Sequence, residues 1–230
     1  MFIPAYYRNS DFSEISKFIE EHSFATLVSH LEGKPWATHI PLELETKLSG
    51  ESILAGHISR ANPQWKSFSN GERVLAIFQG PHSYVSSSWY NHVNVPTWNY
   101  VAVHVYGTMR ILNDEEQYTK LKAMVDRYEK IADKPIDMDK LPADMMGKYM
   151  KAIVGFEMSM DKVEGKWKMS QNRDEEDKLA IISELEKLNE VNATLVAAEM
   201  KNMSKPQSYY NHLAILLQQK LTYTNCIIFN

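Results

Sequence analysis

The sequence predicts a mainly β protein with peripheral helices, an α+β chain built on a closed or nearly closed antiparallel barrel. Three observations predict it. Six or seven strand-like stretches cluster in the first two thirds of the 230 residues, with turn signals and short helical stretches between them. Val101, Val103 and Val105 alternate as one buried face of a barrel strand would. Sustained helical periodicity is longest near the C-terminus. Hydrophobic content of 44% and charged content of 23% are ordinary globular values.

Taken in order, residues 11–22 read as a helix. Asp11 supplies an N-cap and Glu14 a capping box, with Phe12, Ile15, Phe18 and Ile19 on one face. FATLVSHLEGKPWATHIPLELE reads as two strands around Glu-Gly-Lys, and ESILAGHIS as a third. Asn62-Pro63 opens a short helix, with Asn as cap and Pro in the first turn. RVLAIFQG, HSYVSSSWY and WNYVAVHVYGTMRIL supply further strands, and Gly107 lets the last of them bend or pack closely. Residues 114–132 form an amphipathic helix, acidic at its start as the macrodipole prefers. LPADMMGKYM is a short helix and AIVGFEMSMDKVEGKWKMS a last strand with its exit. Residues 174–202 form one long helix, with Leu179, Ile182, Leu185, Leu188, Val191 and Leu195 recurring along it. The expected division is a barrel domain with inserted helices over 1–173, a C-terminal helix over 174–204 and an atypical, nearly uncharged tail over 205–230.

The single cysteine, Cys226, cannot form an internal disulfide, which points to a reducing compartment. There is no signal-like N-terminus and no apolar run of about 18 residues. The expected location is cytoplasmic, with no membrane association. The net charge is −4, and residues 161–204 carry seven Lys/Arg against ten Asp/Glu, a balance of −3. No segment reads as a basic recognition helix. Such a surface repels phosphate backbone, so direct DNA binding is not expected.

The eight histidines lack metal-ligand spacing, and no metal site is predicted. His39 and His57 lie on predicted strands and could face each other. Serines 86–88 stand outside a nucleophile elbow, and phosphate-loop fingerprints are absent. The chemistry concentrates in GHISRANPQW. Ser59 and Arg60 end a strand there, and Asn62 caps a helix whose first N–H groups point back. A hydroxyl, a guanidinium and a helix N-terminus suit a phosphate monoester. Residues 80–107 add Trp89, Trp98 and Tyr100 among serines and histidines, which suits a flat conjugated ring.

The ordered motifs ATHIPLEL, GHISRANPQWKSF, FQGPHSYVSSSWY, VPTWNYVAVHVYG and KMSQNR resemble the PaiB family over roughly residues 1–204. The resemblance implies an FMN-binding split β-barrel, similar to pyridoxamine-phosphate oxidases, forming a homodimer with cofactor sites at the interface. It implies a flavin protein labelled as a transcriptional regulator, with oxidoreductase chemistry and an indirect effect on transcription. Ser59 and Arg60 resemble the phosphate clamp of that superfamily, with Ala61 where its pattern has lysine. Ser87 stands where many relatives have proline. The cofactor-binding set implied is Thr38, His39, His57, Ser59, Arg60, Asn62, Ser86, Trp98, Tyr100, Gln171 and Arg173, with Gln171 and Arg173 reaching over from a second subunit. No catalytic residue is assigned. The alternatives are a haem-binding or haem-degrading protein on the same barrel, with His39, His57, His82, His92 or His104 as axial ligand, and a non-enzymatic regulator acting through DNA or a protein partner.

Overall fold

The computed structural model describes residues 1–71 and 73–203, so the expectations for residues 205–230 lie outside the described residues. The described chain divides into two compact units. Unit 1 comprises Met1–Gly80 and Val101–Trp167; unit 2 comprises Pro81–Tyr100 and the chain from Lys168.

Among the described residues ten strands, more than the expected six or seven, form two antiparallel sheets. The six-stranded sheet runs β1 (Arg8–Asn9), β10 (Lys162–Lys168), β7 (Thr97–Gly107), β6 (Val74–Val85), β2 (Phe24–Leu31), β3 (Lys34–Pro41). The four-stranded sheet runs β4 (Glu43–Thr46), β5 (Ser52–Ser59), β9 (Ile153–Ser159), β8 (Met109–Ile111). The sheets remain open, the split form of a barrel. The extra strands have local causes. The expected last strand is two, because Met160 and Asp161 carry the chain from one sheet to the other. Conversely RVLAIFQG and HSYV are one strand, in which Gly80 packs too closely on Phe18 to admit a Cβ.

The β2–β3 hairpin turns on Glu32 (φ 52°) and Gly33 (φ 74°), two left-handed residues that match the twist of the flanking strands. In α1 (Phe12–Glu21) Asp11 accepts from the amides of Ser13 and Glu14. The capping box is not made there, because Glu14 binds the Asn9 amide (2.6 Å) and Asn9 takes the Asp11 N–H (2.9 Å). Ile15, Phe18 and Ile19 are buried while Phe12 stays exposed. A full capping box forms instead at Asn113 and Glu116, opening α2 (Asp114–Tyr128). α2 is followed by α3 (Ala143–Ala152). In unit 1 Leu27, Phe78, Val103 and Val105 are fully buried, as are Leu54 and Met158, and Phe68 packs edge-on to Phe156 at 5.2 Å.

Glu157, on β9, is a buried carboxylate in unit 1. Arg110 (2.9 Å), Lys47 (3.2 Å) and Lys120 (3.3 Å) surround it. Burial pushes its carboxyl up, and hydrogen bonds from Arg110 and Lys47 outweigh that and hold it below the ordinary carboxylate value. A lowered native value stabilises the fold above the unfolded carboxylate range and is lost as pH falls through it. Glu157→Gln is therefore expected to cost about 3 kcal/mol at pH 7 by stranding its partners. The gap to wild type should shrink in urea unfolding at pH 3. A gap that widens in acid would show that the carboxylate is not what stabilises this corner.

In unit 2 the expected single long helix is two, α4 (Glu175–Lys187) and α5 (Val191–Met203). Asn189 adopts φ 55°, which no α-helix accommodates. The break shifts the helical phase. Ile181, Ile182 and Leu185 of α4 and Ala193, Val196, Ala197 and Met200 of α5 are buried, whereas Leu179, Leu188, Val191 and Leu195 of the expected stripe are exposed. No helix among the described residues is long and apolar enough to cross a membrane.

Candidate functional site

The expected site residues fall into two sets, one in each unit. In unit 1, β5 ends at Ser59 and leads through Arg60 and Ala61 into a 3-10 helix, Pro63–Asn70. The Arg60 guanidinium lies against the chain between α3 and β9. Its Nε donates to the Lys151 carbonyl (2.8 Å) and one terminal nitrogen to the Ile153 carbonyl (2.8 Å). It also sits 5.8 Å from the Trp65 ring centroid. These contacts fix the plane of the fork and leave further N–H groups for an anion.

The first N–H groups of the turn are not the expected donors. Ala61 N–H donates to Ser59 Oγ (3.3 Å), Asn62 N–H to the Ser59 carbonyl (2.9 Å) and Gln64 N–H to Asn62 Oδ1 (3.1 Å). The tight capping that Asn-Pro enforces uses them internally. The donor set that fits a phosphate here is the Arg60 fork and the Ser59 hydroxyl hydrogen.

Thr38 and Asn62 are joined directly. Asn62 Nδ2 donates to Thr38 Oγ1 (2.8 Å), and that hydroxyl donates to Gln64 Oε1 (2.5 Å). Gln64, fully buried, completes the link, its Nε2 facing the Leu27 carbonyl (3.2 Å) and Ser29 Oγ (3.1 Å). Sequence reading missed Gln64; its signal was a polar residue directly after Asn-Pro, before an aromatic run. His39 and His57 belong to different sheets. His39 is exposed and stacks at 6.4 Å on Phe24. His57 lines a cavity of about 200 Å³ with Glu45, Gln117, Lys120 and Met124, and burial pushes its imidazole below the ordinary value.

In unit 2 Ser86 caps the turn Ser87–Trp89, accepting from Ser88 N–H (3.2 Å). Trp98 is 53% exposed, with Tyr84 edge-on at 5.9 Å and His82 at 6.3 Å. This exposed aromatic shelf is of a kind that covers a flat ring. Tyr100 is half-buried two residues along the strand. Gln171 Oε1 accepts from Met169 N–H (2.8 Å). Arg173 lies over the Tyr90 ring at 5.1 Å and donates to Asn94 Oδ1 (3.2 Å). No cluster of three or more His, Cys, Asp or Glu that could hold a metal occurs among the described residues.

Two open antiparallel sheets with helices at their periphery define a split β-barrel of the pyridoxamine-phosphate-oxidase type. Solved structures share it. The FAD and heme binding protein from Mycobacterium smegmatis aligns at TM-score 0.56 and 18% identity, covering 76% of this chain and 79% of that one. The flavocytochrome Anf3 from Azotobacter vinelandii aligns at TM-score 0.54 and 19% identity, covering 77% and 78%. The model of the family described as "Putative FMN-binding domain" matches residues 1–162. Protease synthase and sporulation protein PAI 2 of Bacillus subtilis is 42% identical over 207 residues, 90% of this chain and 100% of that protein. The chain belongs to this family, that of the PaiB proteins.

Proposed function

We propose that the protein binds FMN as a homodimer, with sites at the interface between two copies, and that the bound flavin serves an oxidoreductase reaction. The observation that carries the reading is the turn Ser59–Asn62, in which an anchored Arg60 fork and a free hydroxyl hydrogen meet the needs of a phosphate monoester. FMN, when bound, supplies hydride or electron transfer. This chain's part is to hold and cover it. Ser59 and Arg60 bind the phosphate, and Asn62 and Thr38 keep the turn in shape. Trp98, Tyr100 and Ser86 offer an aromatic and hydroxyl wall for the ring. His39 and His57 are assigned to the ring's surroundings, and Gln171 and Arg173 to the reach from the second copy. The acidic balance of residues 161–204 argues against DNA contact, so any effect on transcription is assigned to a small molecule or redox state.

The absorbance spectrum of protein purified without added cofactor tests the reading. Flavin bands, released as FMN on denaturation, are expected. A colourless protein whose addition leaves FMN fluorescence unchanged would sink it. A Soret band on adding haem to such a protein would turn the assignment to the haem alternative.

A further inference from the structure

A polar cluster in unit 2 surrounds His92. Asp177 stands in the first turn of α4, where its N–H donates to Asp174 Oδ1 (2.8 Å). Its side chain is 2% exposed, and its Oδ1 has no hydrogen-bond partner. That oxygen lies 3.8 Å from His92 Nδ1. A buried carboxylate oxygen left unmatched is costly, and such a group calls for a reason to be there.

The contacts around His92 select one tautomer. Nδ1 is 2.9 Å from Asn91 Oδ1, an acceptor, so Nδ1 bears the hydrogen. Nε2 is 3.3 Å from Asn94 Nδ2, a donor, so Nε2 presents its lone pair. The Asn94 amide is itself oriented, because Arg173 donates to its oxygen at 3.2 Å. Arg173 rests on Tyr90, whose ring lies 5.8 Å from that of His92 and whose hydroxyl is also buried without a partner. The His92 side chain is 47% exposed, while that of Asp177 is buried.

We propose that His92 and Asp177 form a proton-handling pair, in which His92 Nε2 accepts a proton from an N–H or O–H acid and Asp177, without a hydrogen bond to the ring, acts by its charge across 3.8 Å to favour the Nδ1–H form and the imidazolium. The proton adds to the Nε2 lone pair, its donor atom keeps the bonding electrons, and reversal returns the same proton. No oxidant or reductant is consumed. Asp177 is a positioning residue, since it acts through His92.

The test uses full-length, cofactor-free protein labelled with 15N-histidine. At a pH well above the ordinary imidazole range, long-range proton–nitrogen correlations are expected to show His92 as the Nδ1–H tautomer. In Asp177→Asn the Nε2–H form should appear beside it, and carbethoxylation of His92 by diethyl pyrocarbonate, which needs the Nε2 lone pair, should slow several-fold. Asp177→Glu should restore much of that rate. An Nε2–H tautomer in wild type overturns the pair, and does so even if the variants fail to fold. Unchanged tautomer and rate in a folded Asp177→Asn overturn it equally. A protein that binds no FMN but shows the Nδ1–H tautomer and its loss in the variant would sink the flavin reading and leave the pair standing.

Discussion

Gly107→Ala is expected to destabilise the protein by at least ~3 kcal/mol, read as a lowered urea midpoint. A Cβ at position 107 would sit 1.7 Å from the Ser159 carbonyl oxygen and 2.7 Å from its carbon. Both are backbone atoms, so no rotamer change relieves the clash. At this corner of unit 1 the chain crosses twice between the sheets, from β7 to β8 and from β9 to β10. The crossings are tied together: Ser159 N–H donates to the Thr108 carbonyl (2.9 Å) and Thr108 N–H to Ser159 Oγ (2.9 Å). Moving the backbone apart to admit a methyl group breaks these bonds as well. Ser159→Gly is expected not to rescue Gly107→Ala, since the obstructing oxygen belongs to the main chain. A double variant as stable as Ser159→Gly alone would contradict this account.

Arg60→Ala is expected to weaken FMN binding roughly 10- to 100-fold, the usual worth of a charge-assisted hydrogen bond. The guanidinium also braces the Lys151 and Ile153 carbonyls, so part of any loss could come from the scaffold. Riboflavin, which lacks the phosphate, separates the two. Wild type should prefer FMN to riboflavin, and the variant should lose that preference while keeping its riboflavin affinity. Equal losses for both ligands would make Arg60 a structural residue, and the phosphate would then belong elsewhere.

Much of the fold was legible in local chemistry. Glu-Gly-Lys between two strand-like runs signalled a hairpin, and the chain turns there on Glu32 and Gly33. Val101, Val103 and Val105 form a buried face as their spacing required. Legibility failed where two neighbours competed for one partner. Asp11 and Glu14 have capping-box spacing, yet Asn9 takes both the Glu14 carboxylate and the Asp11 amide. It failed again where a single backbone angle reset a long pattern. Asn189 turns one predicted helix into two, and four of the six residues of the predicted apolar stripe come out on the solvent side.

The candidate site divides in the same way. Ser59, Arg60 and Asn62 are neighbours along the chain, so a strand end followed by Asn-Pro was enough to bring them together. Gln64 as the buried link to Thr38, and Asp177 behind His92, could not be found that way. Each depends on segments distant in sequence meeting at one point.

By itself the sequence determined the class of fold, the family and the turn that offers a guanidinium and a hydroxyl to a phosphate. These depend on periodicity, turn residues and adjacent side chains, all of which act over a few positions. Only the tertiary structure decided that Gly107 is required by a backbone oxygen 52 positions further on at Ser159, and that a buried carboxylate stands behind one of the eight histidines. Those outcomes depend on packing between distant segments, where the cost of a methyl group or an unmatched oxygen is fixed by which atoms the fold happens to bring within contact.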